Sequence, residues 1–347
     1  MSYTDIDKPS DFFTPHIWNG TGSNHTESIG MQPDLVWVKG RSVATDHTLF
    51  DVVRGFAVGK SLGSNTNAAE DGSNTTAYGG ISGVTSDGFT VTAGSSNADY
   101  VNTSGRTYVS WNWKAGTSFT NDVSSTSVGT IDSAGSVSTD AGFSIQTYTG
   151  TGSEATIGHG LGVAPKIIFY KRLTGDGSWV VQSTLLANRT QLVLNGTDAV
   201  ITASNLADNT NWSSSVFAVG TNADMNADGV PYIAYCFADV QGYSKIGSYV
   251  GTGNVDGTFV HLGFKPAFTI IKKTNATSVW HLADNKRIGF NPLNYRLQPG
   301  NSDAEYQGSE IYSDFLSNGF KLRNTDDDTN GSGDSYIYMA FAENPFV

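Results

Sequence analysis

Two stretches of the sequence place oxygen-bearing side chains at alternate positions before a glycine. One carries Asp, Asn and Asp, and the other carries Asp, Asp and Asn with a further Asp three residues after the glycine. Alternate oxygen ligands with glycine at the sixth position are typical of a tight calcium-binding loop. Calcium is therefore the candidate cofactor, and its candidate ligands are Asp224, Asn226, Asp228, Asp326, Asp328, Asn330 and Asp334.

A second interpretation of these residues needs no metal. The bidentate glutamate that ends a calcium loop is replaced by Tyr235 in one stretch and by Ile337 in the other. Asp and Asn also dominate turns, because their side chains hydrogen-bond to nearby backbone groups. The sequence leaves both a calcium loop and an Asx-rich turn open.

Tryptophans provide flat apolar surfaces on which sugar rings stack. Trp179 and Trp280 each follow a repeated lysine by eight residues, and recurrence at one place of a repeat favours core packing over ligand binding. Trp212 has no counterpart and lies in the polar run NTNWSSS. We therefore predict Trp212 as the binding residue, with a host-surface glycan as its candidate partner.

Catalytic chemistry has little support in the sequence. The histidines are scattered, and the G-x-S-x-G, H-E-x-x-H and phosphate-loop motifs are absent. Cys236 stands in the apolar run YIAYCFA, which indicates a buried thiol rather than a nucleophile. We predict no catalytic residue and a non-enzymatic protein. Carbohydrate depolymerisation stays an alternative, because the fold alone brings a pair of catalytic carboxylates together.

The elements that position these residues form a repeat. An aromatic residue, a Gly-Thr-Gly turn, a proline and an apolar run ending in lysine recur three times. Apolar runs bounded by turn residues predict strands that are covered on both faces. The lysine follows the proline by six residues in every copy, as Pro33 and Lys39, Pro165 and Lys171, and Pro266 and Lys272.

Each copy ends in a strand that begins with tyrosine. One face of this strand carries large apolar residues at every second position, which predicts a core face. The other face continues with small residues such as Ala234 and Cys236, which would let another sheet, module or subunit approach closely. The apolar faces are formed by Val109, Trp111 and Trp113, by Ile233, Tyr235 and Phe237, and by Ile337, Met339 and Phe341.

The spacing of the copies predicts the domain organisation. Pro165 and Pro266 are 101 residues apart, whereas Pro33 and Pro165 are 132 apart, and the excess is rich in Ser, Thr and Gly. Such a composition predicts a linker with room for one hairpin. The predicted parts are an N-terminal arm (1–11), module 1 (12–116), a linker (117–141), module 2 (142–242) and module 3 (243–347).

The composition predicts an all-β fold class, with three tandem jelly-roll-like β-sandwich modules of about 100 residues each. Forty glycines and 12% aromatic residues suit short strands, whereas 15% charged residues is too few for long amphipathic helices. A net charge of -12 argues against nucleic acid as a partner. The sequence has neither a secretory pattern at its start nor a membrane-spanning apolar run, so we expect synthesis in a cytoplasm and no membrane insertion.

Several longer motifs carry a family resemblance. They are PDLVWVK (33–39), HTLFDVVRG (47–55), SDGFTV (86–91) and YVSWNWKAG (108–116), with LGFKPAFTIIKK, SDFLSNGFKLR and YIYMAFAENPFV near the C-terminus. As a set they resemble a module of virion proteins from marine tailed bacteriophages, and the likeness covers nearly the whole chain.

The resemblance implies a structural component of a bacteriophage virion, made in the host cytoplasm and bound to other virion proteins. A tail-fibre or appendage subunit that contacts the host surface is the leading expectation. A capsid-surface decoration protein and a carbohydrate-binding or depolymerising protein are the alternatives. We also expect a homo-oligomer, with a trimer favoured, because a closed ring would cover sheet edges and the small-residue faces.

Overall fold

In the computed structural model, which describes residue 4 and residues 6–345, strands make up 41% of the chain and helices 7%. This confirms the predicted all-β class. The α-helices are single turns, and three 3-10 turns accompany them. The remaining residues of the predicted arm and the last two residues of module 3 lie outside the described part. The 3-10 turns span Pro9–Asp11, Asn209–Asn211 and Ser309–Ile311.

Module 1 contains two antiparallel sheets. Its elements are β1 (Phe13–Asn19), β2 (His25–Ser28), β3 (Leu35–Gly40), β4 (Thr48–Asp51), β5 (Leu62–Gly63), α1 (Thr75–Tyr78), β6 (Gly80–Thr85), β7 (Gly88–Thr92) and β8 (Thr107–Trp113). The large sheet has the strand order β1-β8-β3-β4-β5, and the small sheet has the order β2-β7-β6.

Module 2 and the segment before it share one large sheet. The elements are β9 (Thr117–Asn121), α2 (Val123–Thr126), β10 (Ser133–Ser138), β11 (Phe143–Thr149), β12 (Ala155–Gly158), β13 (Ile167–Arg172), β14 (Val180–Ser183), β15 (Thr190–Val193), β16 (Ile201–Thr202), β17 (Val216–Val219), α3 (Ala223–Asn226) and β18 (Pro231–Phe237). The large sheet has the order β16-β15-β14-β13-β18-β11-β10-β9, and β12 pairs with β17.

Module 3 repeats the plan with a further two-stranded ribbon. Its elements are β19 (Ser244–Val250), β20 (Phe259–His261), β21 (Phe264–Lys273), β22 (His281–Asp284), β23 (Tyr295–Arg296), β24 (Tyr306–Gln307), β25 (Ser313–Leu316), β26 (Gly319–Leu322), α4 (Asp327–Asn330) and β27 (Ser335–Pro345). The sheets have the orders β19-β27-β21-β22, β20-β26-β25 and β23-β24.

The three large sheets share one central arrangement. In each, the tyrosine-led strand lies between the strand that opens the copy and the strand that follows the repeat proline. The register is also the same, because the aromatic residue before the Gly-Thr-Gly turn lies opposite the tyrosine of the closing strand. These pairs are Trp18 and Tyr108, Tyr148 and Tyr232, and Tyr249 and Tyr336.

One hydrophobic core is common to the three sheets. Trp113, Phe237 and Phe341 each stand five residues after a closing tyrosine, and their rings form a triangle. The distances between ring centroids are 6.2 Å for Trp113 and Phe237, 5.7 Å for Trp113 and Phe341, and 5.9 Å for Phe237 and Phe341. These three rings therefore mark a pseudo-threefold axis within a single chain.

The opposite face of each large sheet packs beneath the small sheet of the same module. Ala234 and Cys236, for example, lie in a cluster with Phe217 of β17. The sequence predicted this face as a surface for close approach, and its partner is the module's own small sheet. We find a shared inner core and three outer cores where the sequence suggested separate cores, because an apolar strand face does not encode what covers it.

The segment 117–141, predicted as a linker, extends the large sheet of module 2. Its strands β9 and β10 form a hairpin, and β10 pairs with β11 along six residues. A Cβ atom on Gly135 would lie 2.0 Å from the carbonyl oxygen of Ile145, so close pairing requires glycine here. The glycine at this position therefore reflects close pairing of two strands rather than a flexible linker.

The described part of the predicted arm is also packed. Ile6 is 3% exposed and belongs to the shared core. Thr4 is buried as well and lies against Gly242, at the junction of modules 2 and 3. These two residues of the arm therefore pack against the modules.

Candidate functional site

The predicted metal ligand Asn226 closes a Gly-Thr-Gly turn. Its Oδ1 accepts a hydrogen bond from the Thr151 amide at 2.8 Å, and its Nδ2 donates to the Ser153 carbonyl at 2.6 Å. The side chain is fully buried, so neither polar atom is free for a metal. The equivalent bonds join Asn330 to the Thr252 amide at 2.9 Å and Asn102 to the Thr21 amide at 2.7 Å.

The predicted aspartate ligands of module 3 have partners within the chain. Asp326 caps α4 by accepting from the Asp328 amide, and burial raises the pKa of the Asp326 carboxyl. Asp328 accepts from Arg296 Nη1 at 3.1 Å. Asp334 lies 2.7 Å from Lys273 Nζ, and this hydrogen bond lowers the pKa of Asp334.

The geometry favours the Asx-turn interpretation over a calcium loop. In module 2, Asp224 is half-buried and Asp228 is exposed, so the two do not enclose a common site with Asn226. Across residue 4 and residues 6–345, no three His, Cys, Asp or Glu side chains form a group suited to a metal ion.

Chelation is therefore expected to leave the stability of the protein unchanged. A calcium ion bound only by the native state would raise the free energy of unfolding, and its removal would lower the melting temperature. We expect equal melting temperatures with EDTA and with added calcium. A lower melting temperature in EDTA that calcium reverses would instead support the calcium-loop interpretation.

Trp212, predicted as an exposed binding residue, points inward. Its side chain is 8% exposed and belongs to the outer core of module 2. The prediction of a partner contact is wrong, because the polar residues around Trp212 in sequence say nothing about the direction of the indole. The structure thus removes the sequence-based candidate for stacking on a sugar.

Truncation of Trp212 is expected to affect stability rather than binding. Trp212→Ala should lower the free energy of unfolding by about 3 kcal/mol, the usual cost of deleting a large buried aromatic side chain. Urea unfolding followed by tyrosine and tryptophan fluorescence measures this change. Phe259→Ala, at an exposed aromatic residue, is the matched control and should change stability little. Unchanged stability of the Trp212 variant would contradict the inward placement.

The repeated tryptophans join neighbouring modules. Trp179 Nε1 donates to the Gly63 carbonyl of module 1 at 2.7 Å, and Trp280 Nε1 donates to the Val193 carbonyl of module 2 at 2.9 Å. Both side chains are buried, as the recurrence of their position predicts. Their indole N–H groups are therefore occupied by inter-module bonds.

The repeat lysines make a second set of inter-module bonds. Lys39, Lys171 and Lys272 are fully buried, although lysine is rarely buried without a carboxylate partner. Each Nζ donates to a backbone carbonyl of another module, and the direction is the same around the pseudo-threefold axis. The acceptors are Ser302 for Lys39 (3.2 Å), Asn67 for Lys171 (2.9 Å) and Thr197 for Lys272 (3.4 Å).

Burial changes the acid-base behaviour of these lysines. It lowers the pKa of Lys39, Lys171 and Lys272 to about 8, and more distant carboxylates oppose the change only in part. The sequence showed the spacing of the lysines, but their burial depends on loops that come from a different module.

The stability of the fold is expected to rise between pH 7.5 and 9.5. The unfolded chain keeps its lysines protonated up to about pH 10.4, whereas the folded chain releases these protons near pH 8, so the unfolded state binds more protons in this range. Each lysine should contribute about 2 kcal/mol of the rise. Urea unfolding at several pH values measures it.

Lys272→Met is expected to remove about one third of this pH dependence. Lys245→Met, at a half-buried lysine that bonds only within module 3, is the matched control and should leave the dependence unchanged. A free energy of unfolding that falls between pH 7.5 and 9.5 in the unmodified chain would contradict the lowered pKa of the three buried lysines.

Two buried ion pairs complete the contacts between modules. Asp51 Oδ2 lies 2.6 Å from Arg54 Nε and accepts from the Tyr235 hydroxyl of module 2 at 2.7 Å. Both members of the ion pair are almost fully buried. In module 3, Asp284 Oδ2 lies 2.6 Å from Arg287 Nε and accepts from Trp111 Nε1 of module 1 at 3.0 Å.

The third contact of this kind has no ion pair. Ser183 stands 18 residues after its repeat proline, where Asp51 and Asp284 stand in their modules. Leu186 replaces the arginine, and Met339 of module 3 replaces the donor from the neighbouring closing strand. The carboxylate, the arginine and the donor are thus present together at two contacts and absent together at the third.

The shared core has no room for a substrate. An enclosed apolar cavity near the axis is lined by residues of all three modules, including Trp113, Tyr235 and Met339. Its volume of about 20 Å³ is close to the space that one water molecule needs.

The fold and its buried contacts define an all-β protein in which three similar sheets surround one core. The chain belongs to the family described as a domain of unknown function, DUF7483, which matches residues 8–345 and so includes all three modules. No curated protein matches the chain. No helix among the described residues is long and apolar enough to cross a membrane.

Proposed function

We propose that the chain is a non-enzymatic structural component of a bacteriophage virion, a tail-fibre or appendage subunit that contacts the host surface. The observation that carries the proposal is the set of buried contacts between modules. Lys171, Trp179 and Tyr235 of module 2, for example, all bond to module 1. Polar side chains that recur in the repeat are thus used to fix one sheet against the next, which suits a rigid building block. The resemblance of the repeated motifs to virion modules supports the same role.

The proposed architecture is three tandem jelly-roll-like β-sandwich modules that close on themselves around the pseudo-threefold axis. The equivalent strand orders and registers support it. We place residues 117–141 with module 2, because β9 and β10 belong to its sheet. Module 2 then spans 117–242, and the boundaries proposed for modules 1 and 3 stay at 12–116 and 243–347.

Imaging of purified particles tests the location. We expect antibody against this chain, or density that fits its fold, on the tail or its appendages. Density on the capsid lattice would instead favour the second candidate, a capsid-surface decoration protein. Absence of the chain from purified particles would contradict both virion roles.

The pseudo-threefold arrangement is the observation that favours the decoration protein. Trp113, Phe237 and Phe341 relate three similar sectors of one chain about a common axis. A single chain of this shape would present similar surfaces to three equivalent sites around a threefold axis of a lattice. One chain per threefold position in the imaged particle would support this candidate.

A homo-oligomer, with a trimer favoured, stays part of the proposal, but its interface must lie elsewhere than on the small-residue faces. Those faces are covered by the small sheets within each module. Light scattering coupled to size-exclusion chromatography tests the state: a trimer has three times the mass of the 36.8 kDa chain.

A carbohydrate-binding or depolymerising protein is the remaining alternative, now without Trp212 as its platform. Binding on a glycan array would favour a lectin. Release of reducing ends from a host polysaccharide would show that the protein is an enzyme, and it would contradict the non-enzymatic assignment.

A further inference from the structure

The strands β1, β11 and β19 occupy equivalent places in the three large sheets, beside the closing strand. In an antiparallel pair, alternate residues bond to the neighbouring strand, and those between them direct their N–H and C=O groups to the other side. Each of these three strands therefore has a row of N–H and C=O groups that point away from the closing strand. The partners of these groups differ among the three modules.

In module 2 the outward row is covered by another strand from Phe143 to Thr147. The odd-numbered residues of β11 face away from β18, and β10 pairs with them in antiparallel register. Ile145 lies opposite Ser136, and Thr147 lies opposite Ala134. The covering strand has the sequence SAGSVS, which is uncharged and consists mostly of small residues.

In module 1 a proline blocks the same row. Lys114 donates its amide to the Phe12 carbonyl, and Gly20 donates its amide to the Arg106 carbonyl, so the odd-numbered residues of β1 face outward. Pro15 is one of these outward residues. Because proline has no N–H and its ring obstructs pairing, it protects an edge strand from a further strand.

In module 3 only half of the outward backbone groups of β19 have hydrogen-bond partners among the described residues. The Ala342 amide donates to the Tyr243 carbonyl, so the odd-numbered residues of β19 bond to β27 and the even-numbered residues face outward. The Ile246 amide is taken by Asp239 Oδ1 at 2.7 Å. Among the described residues, the amides of Ser248 and Val250 and the carbonyls of Ile246 and Ser248 have no partner on this side.

Apolar side chains surround this open segment. Val250, Val255 and Phe259 are 56%, 61% and 42% exposed, and Thr258 Oγ1 bonds to the Val250 carbonyl, which holds the loop beside the edge. Modules 1 and 2 have polar residues at the places of Val250 and Phe259. These residues are Asn19 and Thr26 in module 1 and Thr149 and Thr156 in module 2.

We propose that the open edge of β19, from Ile246 to Val250, binds an extended strand of another protein in antiparallel register. Four backbone groups are free to pair with it, and Val250, Val255 and Phe259 would contact its side chains. The strand β10 in module 2 shows what this edge of the repeat accepts: an uncharged segment of small residues. A second copy of β19 fits this chemistry poorly, because its sequence SKIGSYV contains a lysine and a tyrosine. This inference does not depend on the virion role.

The probe for the experiment is a synthetic peptide with the sequence of residues 133–139, blocked at both ends. The full-length protein is labelled with ¹⁵N and deuterium, and amide signals are followed during titration with the peptide. We expect saturable shifts of the Ser248 and Val250 amides. Ser248→Pro removes one donor and places a ring in the path of the strand, and it should weaken binding about tenfold or more.

Ile17→Pro is the matched control, because Ile17 occupies the equivalent outward place on β1, which Pro15 already blocks. This variant should bind the peptide as the unmodified protein does. Val250→Asp tests the same edge if Ser248→Pro fails to fold, since a charged side chain on an edge strand also disfavours pairing with a further strand. Absence of shifts at millimolar peptide, or equal binding by the edge variants, would overturn the proposal. Self-association that Ser248→Pro abolishes would overturn the choice of occupant.

Discussion

Replacement of Arg54 by leucine is expected to lower the free energy of unfolding by about 4 kcal/mol. The substitution leaves the carboxylate of Asp51 buried without its cation, and removal of one partner of a buried pair costs roughly 3–5 kcal/mol. Tyr235 alone cannot compensate, because its hydroxyl supplies one neutral hydrogen bond at 2.7 Å. Urea unfolding at pH 7 measures the change. A loss below about 1 kcal/mol, the size expected of an exposed pair, would contradict the buried assignment.

The chain itself supplies the matched control. At the third contact, Ser183, Leu186 and Met339 stand where Asp51, Arg54 and Tyr235 stand at the first. The triple variant Asp51→Ser, Arg54→Leu and Tyr235→Met copies that uncharged set. It should be more stable than Arg54→Leu alone, because replacing a whole buried ion pair by apolar residues is often neutral. Equal or greater loss in the triple variant would show that the polar set stabilises the first contact directly.

A fragment of residues 117–242 is expected not to fold cooperatively. It contains every strand of the large sheet of module 2, but it would expose the inner face formed by Ile233, Tyr235 and Phe237, which is buried in the whole chain. Burial of apolar side chains is the dominant favourable term in folding, so the loss of this interface should remove most of the stability. Urea unfolding followed by circular dichroism should show no sigmoidal transition.

Phe237→Ser tests whether the fragment fails to fold because it lacks the inner interface, rather than because the chain is shorter. In the full chain it should cost about 3 kcal/mol or more, because it removes one corner of the central triangle. In the fragment it should change nothing except solubility, since that face is already in water. A cooperative transition in the unmodified fragment, with an m-value expected for its length, would show that module 2 folds alone.

The sequence predicted the strands of the fold better than their assembly. The apolar run after Pro165 and the alternating strand from Tyr232 were sufficient to place the paired central strands, because periodicity reports which faces are buried. Periodicity does not report what buries them, so the shared core was missed. The segment 117–141 was predicted as a linker with room for one hairpin, but composition alone did not show that this hairpin, β9 and β10, extends the sheet of module 2.

At the candidate sites, too, the sequence indicated individual residues but not the partners they bond to. Asn226 and Asn330 were recognised by spacing, but their role in fixing a turn depends on residues more than seventy positions away. The spacing of Lys171 was recognised too, whereas its acceptor, the Asn67 carbonyl, belongs to another module. Local sequence therefore identified the residues that matter to the fold. Their partners were set by long-range contacts that no window of sequence contains.

The triangle of Trp113, Phe237 and Phe341 also has an evolutionary consequence. In a homotrimer, one codon change alters the same residue in all three subunits, so a substitution persists only if the core accepts it at all three corners. Covalent continuity frees each corner to mutate singly. This freedom permits the differences seen here, with tryptophan at one corner, phenylalanine at the other two, and an uncharged set at one of the three boundaries.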